Sequence, residues 1–154
     1  MEKLLEKLNE KGLTLGAAES CTGGMICQTV TGTPGASAVF LGGVVSYANE
    51  VKINVLGVSP KVLMEKGAVC EEVAGMMAEG VRRATGCRIG ISTTGIAGPG
   101  GGSAEKPVGT VCFGIASDKG CRTYTRYFGC HRERDEIRRM ASDFALSLVS
   151  DEVK

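Results

Sequence analysis

The sequence predicts a three-layer α/β/α domain with a central mixed β-sheet. Three observations lead there. Segments with helical spacing alternate with short apolar, β-branched runs through the first part of the chain, the pattern of parallel strands with helices between them. Two β-rich runs then follow one another around a tight DKG turn, an antiparallel hairpin that makes the sheet mixed. The length, 154 residues, suits one unit with a sizeable core. No linker, repeat or low-complexity stretch divides it, so a single domain over residues 1–154 is expected.

Each element has its own signal. Residues 2–11 carry Leu4, Leu5 and Leu8 at helical spacing among charges, and Gly12 ends that helix. LTLGAA (13–18) reads as a short strand delivering the chain to Glu19 and Ser20. A short helix fits Gly23 to Val30, with Ser20 or Thr22 available to cap it, and TGTPG then turns the chain. AVFLGGVVSYA (38–48) resembles a buried strand with a glycine-marked irregularity. NEVKINVLGV resumes helical spacing through Val51, Val55 and Leu56. In SPKVLMEKG, Ser59 is placed as a cap and Pro60 at the first helical position.

Residues 71–85 form the clearest amphipathic helix, with Val73, Met76, Met77, Gly80, Val81 and Ala84 on one face. Glu71 and Glu72 suit its positive end, Arg82 and Arg83 its last turn, and Gly86 its cap. The methionines there read as core filler. CRIGISTT (87–94) is the next strand and GIAGPGGGSAEKPVG (95–109) a long glycine-rich loop. TVCFGIAS and RTYTRYF make the hairpin, and a last helix turns Ile137, Met140, Ala141, Phe144 and Leu148 inward.

Composition narrows the function. The 18 basic and 17 acidic side chains nearly cancel, leaving no nucleic-acid footprint. With no Trp and 5% aromatic residues there is little to stack on bases. No apolar run approaches the ~20 residues that span a bilayer, and the charged N-terminus lacks a signal-peptide core. A soluble, cytoplasmic chain without a membrane partner is expected. The seven cysteines are odd in number and include no C-x-x-C pair, so neither a disulfide framework nor a metal site is signalled. Apart from Cys21 they read as small hydrophobes.

Three segments carry more polar chemistry than a fold requires. AAESCTGG (17–24) sets Ser20, Cys21 and Thr22 before a glycine pair. SYANEVK (46–52) sets Tyr47, Asn49 and Lys52 after a buried strand. STTGIAGPGGGSAEKPVG (92–109) offers glycines whose N–H groups can approach a phosphate or an oxyanion. That loop lacks the Walker order, and Ile96 stands where a dinucleotide fingerprint needs its second glycine.

A serine needs a base within hydrogen-bond reach to act as a nucleophile. The only histidine, His131, adjoins Arg132. A lysine serves instead if burial lowers its pKa from ~10.4 toward neutrality, and Lys52, flanked by Val51 and Ile53, is best placed for that. A solvated helix lysine is the plainer reading of the same residue. Cys21 with His131 as base is a second enzymatic arrangement.

AESCTGG, GGVVSYANEVKINVLGV, GAV and TTGIAGPGGGSAEKPVGTVCFGIA, in that order, resemble the C-terminal domain of the competence/damage-inducible protein CinA. The similarity runs over essentially the whole chain. That domain also occurs alone, as nicotinamide-nucleotide amidohydrolase, and the absence of CinA's N-terminal domain points to the stand-alone form. The resemblance implies a serine/lysine amidohydrolase, without metal or organic cofactor, that converts nicotinamide mononucleotide and water to nicotinic acid mononucleotide and ammonia.

By position it implies Ser20 as nucleophile, Lys52 as base, and Tyr47 and Thr94 as groups that orient the lysine or relay its proton. Thr22, Gly23, Gly24, Asn49, Gly95 and Gly98 become candidate substrate-binding residues. The family's phosphate-binding arginine falls on Arg132 counting forward from Phe128, or on Arg134, which we favour, counting back from Ile137. A homo-oligomer is expected, with a neighbouring subunit able to complete the pocket. The competing class is a non-catalytic pyridine-nucleotide or phosphate-binding module acting through a partner protein.

Overall fold

Successive residues of β1 (Leu15–Glu19) point to opposite sides of the sheet, and all five are buried. Leu15 and Ala17 join one core and Ala18 the other. Such a strand must lie centrally with layers on both faces. The chain, described over residues 1–154 in a computed structural model, is built that way. After β1 come α2 (Met25–Thr31), a 3-10 turn (Ala36–Ala38), β2 (Phe40–Val45), α3 (Asn49–Leu56), α4 (Pro60–Lys66) and α5 (Glu71–Thr85). Then follow β3 (Ile89–Gly95), β4 (Thr110–Ser117), β5 (Gly120–Tyr127) and α6 (Arg134–Glu152), while α1 (Glu2–Glu10) precedes them all.

The five strands lie in the order β2-β1-β3-β4-β5. β1 is parallel to β2 and β3, and the last two pairings are antiparallel. The hairpin turn is two residues, Asp118 and Lys119, because Ser117 pairs with Gly120.

Helices α1, α2 and α6 cover one face, where Leu8, Ile26, Ile137 and Val149 pack on Ile91 and Phe113. Each such fully buried side chain contributes about 1.5–3 kcal/mol. Helices α3, α4 and α5 cover the other through Leu56, Leu63, Val73, Met77 and Val81. On this side α5 touches strand backbone. A Cβ at Gly90 would lie 2.2 Å from the Ala78 carbonyl, and one at Gly114 2.3 Å from that of Ala74.

Some boundaries differ from the sequence reading for local reasons. α2 begins at Met25 rather than Gly23, because Gly23 and Gly24 take positive φ, 58° and 99°. Neither Ser20 nor Thr22 caps it. The buried Glu19 carboxylate does so instead, accepting from the N–H groups of Gly24, Ile26 and Cys27. The strand expected over 38–48 is only β2, since Ala36–Ala38 coils and Ser46 and Tyr47 turn their carbonyls to Lys52. All seven cysteines are free, but Cys121 and Cys130 are exposed, not core hydrophobes. Cys121 lies on the largely exposed edge strand β5. No helix is long and apolar enough to cross a membrane.

Candidate active site

Parallel pairing brings the carboxyl ends of β2, β1 and β3 to one edge of the sheet, where ligands of α/β folds commonly bind. Ser20 directly follows β1, Ser46 and Tyr47 follow β2, and Gly95 ends β3. The chain leaves Ser20 in a β-turn closed by the Gly23 N–H on the Ser20 carbonyl at 3.1 Å. From the other side α3 carries Lys52 inward, leaving it 1% exposed.

The Lys52 amine lies 3.1 Å from Ser20 Oγ, and donates to the carbonyls of Ser46 at 2.6 Å and Tyr47 at 3.3 Å. Burial pushes this lysine below its ordinary pKa, against a weaker pull from neighbouring Cys21. A neutral amine has two N–H groups and one lone pair. The two carbonyls accept both N–H groups, which leaves the lone pair for the Ser20 hydroxyl.

Ser20 opens into a cleft of about 270 Å³ whose walls include Cys21, Tyr47, Gly95, Gly98 and Arg134. Arg134 donates to the Gly98 carbonyl at 2.6 Å and to the Tyr47 hydroxyl at 3.2 Å, joining α6, the glycine-rich loop and the segment after β2. Arg132 turns elsewhere, bound to the Phe128 carbonyl at 2.7 Å and Glu136 at 3.1 Å. Of the two arginines the cleft therefore receives Arg134.

The other candidates divide. Tyr47 is largely exposed on the cleft wall, and its carbonyl, not its hydroxyl, meets Lys52. The buried Thr94 hydroxyl donates to the Ala68 carbonyl at 2.9 Å and makes no hydrogen bond to Ser20 or Lys52. Thr22 is buried behind the turn, bonded to Glu19 at 2.6 Å and to Thr93 at 2.8 Å. Asn49 is exposed at the start of α3, with no side-chain hydrogen bond. Gly95 packs closely on β4, where a Cβ would meet the Thr110 carbonyl at 2.8 Å.

Cys21 is poorly suited to be the nucleophile. It is 5% exposed, and its thiol is pushed up to about 12, chiefly by burial, with Glu19 adding to the shift. His131 is exposed and makes no side-chain hydrogen bond. No group of three or more His, Cys, Asp or Glu side chains could hold a metal ion.

A larger hollow, about 660 Å³, lies between α5 and β5, where two of the charged groups are held by neighbours. Glu71 accepts from Thr123 and Thr125, and Arg83 donates to the Leu56 carbonyl. Sequence reasoning missed two other features, the Ser46 carbonyl and Arg138. Main-chain orientation leaves no mark in a sequence. Arg138 did leave one, since it follows Arg134 by four residues and so shares its helix face.

A buried serine–lysine pair at the carboxyl ends of parallel strands places this chain among α/β domains with a polar site at a strand-to-helix turn. The sequence profile described as the CinA C-terminal domain matches residues 1–153, and the chain belongs to that family. It is 48% identical over 138 residues to a CinA-like protein of Synechococcus sp. (strain CC9902), covering 90% of this chain and 33% of that protein. A CinA-like protein of Geotalea daltonii is 49% identical over 142 residues, 92% of this chain and 34% of the relative. The chain thus spans about a third of the length of these curated relatives.

Among solved structures, the competence/damage inducible protein CihA from Agrobacterium tumefaciens superposes with a TM-score of 0.94 at 37% identity, over 97% of this chain and 91% of that one. A competence or damage-inducible protein from Enterobacter asburiae gives 0.93 at 31% identity, over 99% and 95%.

Proposed function

We propose that this domain hydrolyses the carboxamide of nicotinamide mononucleotide to nicotinic acid mononucleotide and ammonia through an acyl-enzyme on Ser20. The observation that carries the reading is the 3.1 Å contact of Ser20 Oγ with a buried lysine whose pKa is lowered. The substrate comes from the family resemblance of the motifs around these residues. No metal or organic cofactor enters the chemistry.

In the first half-reaction neutral Lys52 takes the Ser20 proton while the serine oxygen bonds to the carboxamide carbon. The tetrahedral intermediate collapses as the Lys52 ammonium returns that proton to the departing nitrogen, so ammonia leaves and an ester remains on Ser20. In the second half-reaction Lys52 takes a proton from water, the hydroxide adds to the ester carbon, and the serine oxygen leaves reprotonated. Tyr47, through its carbonyl, holds the lysine along this course.

The ribose 5′-phosphate suits Arg134 at the cleft wall, a fork able to bond two phosphate oxygens. In the neighbouring loop the N–H groups of Ala97, Gly98, Gly100 and Gly101 have no intramolecular acceptor and supply further donors. The test is to incubate the purified protein with nicotinamide mononucleotide and measure ammonia and the acid product. Saturable binding without product would support the binding-module reading instead.

A further inference from the structure

Nearly every backbone polar group of the turn after Ser20 has a partner. The Ser20 N–H donates to the Thr93 carbonyl, Gly23 N–H to the Ser20 carbonyl, and Met25 N–H to the Thr22 carbonyl. Glu19 accepts from Gly24, Ile26 and Cys27. Arg138 of α6 donates from Nε to the Cys21 carbonyl at 3.2 Å and from Nη2 to the Thr22 carbonyl at 3.1 Å. Two donors remain without an intramolecular acceptor, the N–H groups of Cys21 and Thr22, immediately after the nucleophile.

We infer that Arg138 is a positioning residue that aims the Thr22 N–H, beside that of Cys21, at the oxyanion formed when Ser20 attacks. The inference rests on the acyl-transfer reading of Ser20 and Lys52. The peptide bond is planar and trans, so the Cys21 carbonyl and the Thr22 N–H point in opposite directions. Fixing that carbonyl from the α6 side fixes the N–H toward the other side. This peptide is also the central unit of the Ser20–Gly23 turn, the one that rotates between turn types.

Gly23 leaves room for the contact, since a Cβ there would lie 3.3 Å from Arg138 Nη2. Thr22 is pinned behind by Glu19 and Thr93. A carboxylate that takes donors and a guanidinium that takes acceptors thus hold one turn between them and leave free two donors beside Ser20. Backbone donors held in place before reaction need no reorganisation as charge develops.

The test compares Arg138→Ala, Arg138→Lys and Asp135→Asn with wild type in two assays. One is steady-state ammonia release from nicotinamide mononucleotide. The other is phosphonylation of Ser20 by a fluorophosphonate probe, in which the serine oxygen bonds to phosphorus, fluoride leaves and Lys52 takes the proton. For Arg138→Ala we expect kcat and the phosphonylation rate to fall about 10- to 100-fold, with KM and the pH midpoint unmoved. Arg138→Lys, with one point donor in place of a fork, should fall in between. Asp135→Asn removes only the exposed 3.0 Å partner of Arg138 and should stay within about twofold of wild type.

Wild-type rates in Arg138→Ala overturn the inference. So does a raised KM at unchanged kcat, which marks a substrate contact, or a shifted pH midpoint, which marks an effect on Lys52. Should wild type take the probe but release no ammonia, the proposed substrate fails while the probe rates still decide Arg138. Inertness in both assays overturns both readings.

Discussion

The shortest hydrogen bond made by Lys52 runs to the Ser46 carbonyl, at 2.6 Å, and not to Ser20, at 3.1 Å. The carbonyl belongs to the residue just beyond β2, so strand pairing in the sheet sets where the lysine nitrogen sits. That backbone contact orients the amine without any help from a ligand. It also makes the pair sensitive to the lysine's charge, because an ammonium in this site is buried with no carboxylate bonded to it.

Removing either member of the pair should abolish turnover. Ser20→Ala and Lys52→Ala are each expected to lower kcat for ammonia release by about a thousandfold or more, with the double variant little worse than either single one. Lys52→Arg should be as inactive, because a guanidinium keeps its proton at any working pH. Substantial activity in Ser20→Ala or Lys52→Ala would reject the dyad.

The acylation rate should rise with pH and level off below the ordinary lysine range, since burial depresses the Lys52 pKa and the reactive form is neutral. Stability follows the same sign. Between the depressed folded pKa and the unfolded value of ~10.4, the unfolded chain binds more protons, so stability increases with pH through that window. Lys52→Met should therefore compare best with wild type near neutral pH, against the cost of the Ser46 and Tyr47 carbonyls it leaves unpaired. The difference should move in favour of wild type as pH approaches ~10. Denaturant titrations at several pH values measure it.

Glu19→Gln should destabilise the fold by about 2 kcal/mol and lower the melting temperature. The carboxylate accepts from three N–H groups and the Thr22 hydroxyl. An amide there turns donors against donors. Calorimetry gives the loss directly, and an unchanged midpoint would mean that the turn holds without its anionic cap.

Arg134→Ala should reduce kcat/KM for nicotinamide mononucleotide roughly 10- to 100-fold, the value of a charge-assisted contact, while leaving hydrolysis of the unphosphorylated riboside unchanged. Arg132→Ala, already bound to Phe128 and Glu136, should leave both rates near wild type. The two substrates measured side by side separate phosphate binding from a general effect.

Much of this molecule was legible in the order of its residues. The layered architecture was, because alternating strands and amphipathic helices each have a period, and those periods dictate which faces must be buried. So was the turn containing Ser20, since it depends on near neighbours in the chain. The residues beside Lys52, by contrast, allowed a solvated lysine as readily as a buried one, and its burial follows from the contact of α3 with Ser20 and the end of β2. What the chain order could not supply is contact across long separations and the direction of main-chain groups.

The choice of Arg134 over Arg132 shows the first limit. Counting allowed both, and only the packing of α6 against the glycine-rich loop puts the Arg134 fork on the Gly98 carbonyl, 36 residues away. Tyr47 shows the second. The motif marks its side chain, yet its backbone carbonyl holds the lysine. Helix capping at Glu19 and the grip of Arg138 belong with these, because both join side chains to peptide groups whose orientation exists only once the sheet and α6 are assembled. Periodicity and local spacing are properties of neighbours along the chain, whereas a hydrogen bond depends on distance and angle in space.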